Sequence, residues 1–175
     1  VVAMCDVDRR YLEERAERFP NARRYSDYRD MLAREQDLDA VVISSPDHTH
    51  AHAARLAMRR GLHVYCEKPL VHRFDELAPV LNAARQAGVV TRAGNQHHAS
   101  DGYRAAIAWL DSGRLGDISA AHAWTDRPFW PQGELPDKAM PLDAQPPAHL
   151  AWDLWLGPAP PRPYRDGYHP MNWRG

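Results

Sequence analysis

Through its first half the chain alternates short runs of apolar, often β-branched residues with longer stretches in which apolar positions recur every three or four residues. That alternation predicts strands and helices in turn, the signature of a parallel sheet built from strand–helix–strand units. Strands are expected at Val1–Cys5, Asp39–Ser44, Leu62–Cys66 and Val89–Ala93. Helices are expected at Asp8–Arg18, with Leu12, Ala16 and Phe19 on one buried face, and at a short segment capped by Ser26 and carrying Tyr28, Met31 and Leu32. Two longer ones follow at Asp47–Arg60 and Phe74–Ala87, stopped by Gly61 and Gly88. Four strands with intervening helices fit a doubly wound α/β sheet with right-handed crossovers.

Beyond residue 98 the texture changes. A helix is expected at Asp101–Ser112, with Ile107, Trp109 and Leu110 among its apolar positions, and a half-exposed strand at Asp117–Thr125. From Arg127 to Pro170 the chain is rich in proline and aromatic residues, broken only by an expected turn of helix at Trp152–Leu156. A loop of that length in a compact protein is usually functional or disordered, and its tryptophans argue for order. The expected partition is residues 1–98 as a dinucleotide-binding domain and 99–175 as the start of a second domain. Trp109 and Trp124 read as packing residues, whereas Trp130, Trp152 and Trp155 suit either pocket lining or loop packing. His122 and His149 have no supporting context.

Composition narrows the function classes. The formal net charge of −1 gives no electrostatic case for nucleic acid or an anionic membrane. No run approaches the roughly 20 apolar residues needed to span a bilayer. Cys5 and Cys66 close strand-like runs and read as buried free thiols rather than a disulfide or zinc framework. The chain opens directly on a strand and stops in an aromatic loop, so it is expected to be internal to a longer protein, cytoplasmic by default, with an exported form left open.

Chemistry gathers where predicted strands end. Asp6 follows the first strand, where an acid can bond ribose hydroxyls and repel a 2′-phosphate; an ordinary helix cap, by Asp6 or Asp8, is the competing reading. Ser45, Pro46 and His50 sit where a strand gives way to a helix, whose exposed N–H groups suit phosphate or ribose oxygens. His48 and His52 share a helix face, but no further ligand lies near enough in sequence to complete a metal set, so no metal is expected. In His63-Val64-Tyr65-Cys66-Glu67-Lys68-Pro69-Leu70 a charged pair follows a buried strand directly. Lys68 there would point into a ligand crevice and could transfer a proton. A surface Glu-Lys pair is the plainer alternative. Gln96 and His97 close the last predicted strand, and His97 could face a substrate.

The stretches Asp6-Val7-Asp8, Asp39 to His50, Gly61 to Leu70, Gly94-Asn95-Gln96, Gly113 to Ile118 and Asp153 to Gly175 together resemble the Gfo/Idh/MocA oxidoreductase family, over nearly the whole chain. The resemblance implies a Rossmann domain followed by an α/β domain on an open sheet. It implies hydride transfer between NAD, with NADP as the alternative, and a sugar, inositol or related polyol. Lys68 is then the acid/base, with Pro69 often following a cis peptide that would set the lysine's direction. Asp6, Ser45, Pro46, His50, Glu67, Lys68, Gln96, Trp173 and Arg174 line the cofactor, Lys68 and His97 face the substrate, and the full-length protein forms a homo-oligomer. The family's Gly-rich loop would lie before Val1 and a second catalytic group, usually a His after an Asp, beyond Gly175. The sheet is therefore expected to lack its first, central strand, which leaves two unpaired inner edges. An NAD-dependent glycoside hydrolase and a non-catalytic sugar-binding relative stand as rivals.

Overall fold

Five short strands pair in parallel, as the alternation requires, but they form two sheets. The computed structural model describes residues 1–126, 144–170 and 173. Strands β1 (Ala3–Cys5) and β2 (Arg23–Tyr25) make one pair; β3 (Ala40–Ile43), β4 (His63–Cys66) and β5 (Thr91–Ala93) make the other sheet, with β4 in the middle. Register runs from Ala40 opposite His63 to Ile43 opposite Cys66, and from Val64 opposite Thr91 to Cys66 opposite Ala93. Among the described residues β1 pairs only with β2, and β3 only with β4. Val42 on β3 is accordingly 73% exposed.

The helices between the strands are α1 (Arg9–Ala16), α2 (Tyr28–Arg34), α3 (Asp47–Arg59) and α4 (Leu77–Ala87), the last entered through a 3-10 turn at Phe74–Glu76. The core joins Leu32 of α2, Ile43, Val64 and Cys66 of the sheet, Val80 of α4 and an alanine-rich face of α3 with Met58. Ala51, Ala54 and Ala57 are fully or nearly buried on that face, and their small side chains let α3 lie close against β3 and β4. Gly61 and Gly88, at φ +74° and +63°, leave α3 and α4 in the left-handed conformation that glycine adopts without penalty.

Several expectations need correction. The cap of α2 is Asp27, whose carboxylate accepts from the Arg29 amide at 2.8 Å; Ser26 lies one residue too early to reach it. Phe19 is 37% exposed because α1 ends at Ala16 and the three-residue spacing no longer places it on the buried face. Strand β2 was not foreseen, since Arg23-Arg24-Tyr25 carries no apolar pattern. Its place comes from the Arg23 amide bonding the Val2 carbonyl at 3.0 Å and from Arg23 and Tyr25 together holding buried Glu35. No strand forms at 117–125: those residues are exposed and no ladder partner meets them among the described residues. Trp109 and Trp124 are exposed as well, because no described element covers them. Cys66 is buried but Cys5 only partly.

By contacts the chain divides into two compact units, 1–94 with 146–162, and 95–145 with 163–175. The first therefore recovers a late segment. There α6 (Trp152–Leu156) packs Trp152, Trp155 and Leu156 into buried positions, and the two indoles stack at 4.8 Å. The second unit contains a 3-10 turn at Gln96–Ala99 and α5 (Asp101–Asp111), capped by Ser100.

Hydrogen bonds from Arg23 and from the Tyr25 hydroxyl hold the Glu35 carboxyl down to about 2. A carboxyl held below its usual value near 4.5 adds stability above that value and loses it as pH falls toward 2. Urea melts across that window should show the wild-type midpoint falling. Glu35→Gln should be less stable at pH 6 and show a visibly flatter fall between pH 4.5 and 2; an unchanged slope would remove Glu35 from the account.

Candidate functional site

Parallel pairing brings the carboxyl ends of β3, β4 and β5 to one edge of their sheet, and the expected site residues of the first unit lie at strand ends. The Glu67 amide donates to the Ile43 carbonyl at 2.9 Å and the Gly94 amide to the Cys66 carbonyl at 2.8 Å, so the ladder runs one residue past β4 and β5. Lys68 leaves it there, exposed, followed by a cis peptide to Pro69. Glu67 is half-buried beside Gly94. A β-carbon on Gly94 would meet all three carboxyl atoms of Glu67 at 2.8–2.9 Å, so the carboxylate rests on bare glycine backbone.

At the end of β3 the turn is held by side chains. The Thr49 hydroxyl donates to the Pro46 carbonyl at 2.8 Å, which leaves the Ser45 hydroxyl to donate to Thr49 at 2.6 Å. Ser45 is exposed and Pro46 half-buried. His50 is 1% exposed: its Nδ1 lies 2.7 Å from the Pro69 carbonyl oxygen and its Nε2 2.6 Å from that of Ser45. Its ring faces main chain.

At the end of β1, Asp6 is half-buried and its Oδ1 accepts the Asp8 amide at 2.8 Å. Asp8 is 0% exposed and caps α1, accepting from the Arg10 amide at 2.9 Å and from the Arg10 guanidinium at 2.9 and 3.2 Å. Burial pushes the Asp8 carboxyl up, but Arg10 outweighs it and holds the group below the usual range. The late segment closes over Asp8. Leu150 bridges to it, the Arg9 amide bonds the His149 carbonyl at 2.9 Å, and the Ala151 amide bonds the Val7 carbonyl at 2.9 Å. His48 fixes the same segment, its Nε2–H donating to the Trp155 carbonyl at 2.9 Å. Burial lowers the His48 pKa and favours its neutral ring. Trp152 and Trp155 are thus packing residues; the Trp152 indole N–H bonds the Arg162 carbonyl at 2.9 Å.

The sequence profile of the Gfo/Idh/MocA oxidoreductase family, NAD-binding Rossmann fold, matches residues 1–95. The chain belongs to that family. It is 36% identical over 95 residues to 1,5-anhydro-D-fructose reductase of Ensifer adhaerens, covering 53% of this chain and 28% of that protein. Myo-inositol 2-dehydrogenase from Lactobacillus plantarum superposes with a TM-score of 0.62 at 31% identity, covering 67% of this chain and 35% of that one. Scyllo-inositol dehydrogenase from Lactobacillus casei, solved with NAD(H) and scyllo-inositol, does so at 0.62 and 27%, with the same coverage. The chain spans about a third of those structures and less of the curated relatives.

For a Gfo/Idh/MocA Rossmann unit the strand-end residues fit a nucleotide. Asp6 presents its carboxylate after β1, and Gly94, with no side chain of its own, lets the Glu67 carboxylate lie against the end of β5. Gln96 and His97 belong to the second unit, exposed in its 3-10 turn, with the His97 carbonyl accepting the Ser100 hydroxyl at 2.8 Å. Trp173, also there, donates its indole N–H to the Pro170 carbonyl at 3.2 Å. Arg174 and Trp130 lie outside the described residues. Among the described residues no three His, Cys, Asp or Glu side chains form a metal-holding group, and no helix is long and apolar enough to cross a membrane. Burial raises the Cys5 thiol to about 12 and that of Cys66 to about 11, so neither supplies a thiolate nucleophile. The sequence reading missed the seat that Gly94 gives Glu67, although Gly after a strand is a recognised sign of close approach.

Gly94→Ala should displace the Glu67 carboxylate while changing stability by no more than about 1 kcal/mol, because the obstructed atoms end a flexible chain. A crystal structure of the variant with Glu67 in its original place would contradict the steric account.

Proposed function

We propose that the full-length protein is an NAD-dependent dehydrogenase of a sugar, inositol or related polyol, with Lys68 as the acid/base. The observation that carries this reading is Lys68 itself: a flexible amine, exposed at the carboxyl end of the middle strand, on a main chain tied down to either side. The related proteins, a 1,5-anhydro-D-fructose reductase and two inositol dehydrogenases, support the substrate class.

Bound NAD supplies the hydride acceptor on oxidation and, as NADH, the donor on reduction. Asp6 would hold the adenosine ribose through its hydroxyls, and Arg10, drawn onto Asp8, is withheld from a 2′-phosphate, which favours NAD over NADP. Ser45, Pro46 and Glu67 of the first unit would line the cofactor. Lys68, as the neutral amine, removes the proton of the reacting hydroxyl while the C–H hydrogen leaves with its electron pair. In reduction the ammonium returns that proton to the carbonyl oxygen.

The test is the full-length enzyme with NAD and a panel of myo-inositol, scyllo-inositol, D-xylose and D-glucose, followed by NADH absorbance. Lys68→Ala should lower kcat by about 10²–10⁴-fold while NADH still binds. Turnover of a glycoside without net NADH production would favour the glycosidase rival. Wild-type turnover in Lys68→Ala would end the acid/base assignment.

A further inference from the structure

The two turns that carry the proposed cofactor contacts and the proposed base meet at His50, a buried titratable side chain to which that chemistry assigns no step. After the Glu67 amide bonds the Ile43 carbonyl, β3 and β4 part, one into Ser45-Pro46 and the other into Lys68-Pro69. Each turn contains a proline, which has no N–H to offer. What they turn toward each other are carbonyls, those of Ser45 and Pro69, and two acceptors cannot bond one another. The His50 ring lies between them, Nε2 at 2.6 Å from one and Nδ1 at 2.7 Å from the other, at 1% exposure. With one N–H the ring donates to one of these carbonyls and packs its other nitrogen against the second, so it sits between the two turns as their shared neighbour.

The consequence for Lys68 is local geometry. On its amino side the main chain is fixed by the Glu67 bond to Ile43. On its carboxyl side the pyrrolidine of Pro69 fixes φ, and His50 holds the carbonyl of that same residue. The Lys68 backbone is therefore anchored within one residue on both sides, while its side chain stays exposed. The same ring holds Ser45, whose hydroxyl is already committed to Thr49. The Ser45-Pro46 turn has a second brace in Thr49, so it is the Lys68 turn that depends on the ring.

We infer that His50 is a positioning residue, which registers the Lys68 turn against the Ser45-Pro46 turn and acts on turnover through Lys68 without touching cofactor or substrate. The inference rests on the assignment of Lys68 above, and the experiment separates the two. In the full-length enzyme, His50→Phe replaces the ring's polar edge with a somewhat larger apolar ring, and His50→Gln keeps an amide N–H for one carbonyl. Kinetics with the polyol from the panel that the wild type oxidises, and NADH binding by fluorescence titration, give the split between kcat, KM and cofactor affinity. His50→Phe should lower kcat by up to about 10²-fold, the scale of a misplacement near 1 Å, with KM and NADH affinity changed by less than threefold. His50→Gln should recover part of the loss. Combined with Lys68→Ala, His50→Phe should cost nothing further, since a residue that acts through another has no effect once that other is gone.

A residue that merely fills the core would lower the melting temperature and leave kcat intact in the folded fraction, which would overturn the inference. So would losses that multiply in the double variant, or NADH affinity falling as far as kcat. If His50→Phe does not fold, wild-type kcat in His50→Gln overturns it equally. A crystal structure of either folded variant with the 67–70 turn superposing on the wild type would do so without any substrate. Should Lys68→Ala itself turn over normally, the acid/base reading fails, and that result is visible before any His50 variant is compared.

Discussion

Parallel pairing is the constraint from which the site follows. When β3, β4 and β5 run the same way, the turns leaving them must emerge along one edge. Residues far apart in sequence, Ser45, Glu67, Lys68 and Gly94, arrive together with no contact designed for the purpose. The cost is that the edge consists of turns, where ladder hydrogen bonds stop and carbonyls and amides need other partners. Several side chains of the first unit answer that need. Asp6 takes the Asp8 amide, Thr49 takes the Pro46 carbonyl, and His50 meets Ser45 and Pro69. Groups that satisfy the backbone and groups free to meet a ligand are interleaved along one rim.

Much of this fold could be read from the chain, for a definite reason. β3 and β4 are rich in β-branched and aromatic residues, α3 and α4 show helical spacing, and Gly61 and Gly88 stop them as the local chemistry requires. What escaped had no local signal. β2 is charged and owes its place to a buried carboxylate ten and twelve residues onward, at Glu35. The exposure of Trp109 and Trp124 depends on what lies against them, which no periodicity records. The strand expected at 117–125 had alternation but no ladder, and alternation alone does not make a strand.

The candidate site divides along the same line. The place of Glu67 and Lys68 at a strand end was legible because the charged pair directly follows an apolar run. Asp6, Ser45 and Pro46 were legible from the rule that ligands gather at strand ends. His50 was visible as a residue, but the partners it would choose were not: Pro69 is nineteen positions away, and an acceptor carbonyl leaves no mark in a sequence. Gly94 was visible as part of a motif, whereas the carboxylate resting on it was not.

The return of residues 146–162 to the first unit bears on how such a chain can be inherited in pieces. The family profile stops at residue 95, yet Asp8 is sealed by Leu150 and His149, and His48 is held by Trp155. A recombination event that exchanged everything after residue 95 would therefore also replace the lid over the start of α1. Shuffling that followed the sequence boundary would leave a buried carboxylate facing a foreign loop. The stretch around Trp152 and Trp155 must travel with the half it does not adjoin in sequence, so this architecture is more readily diversified in its exposed turns than by exchange of whole modules.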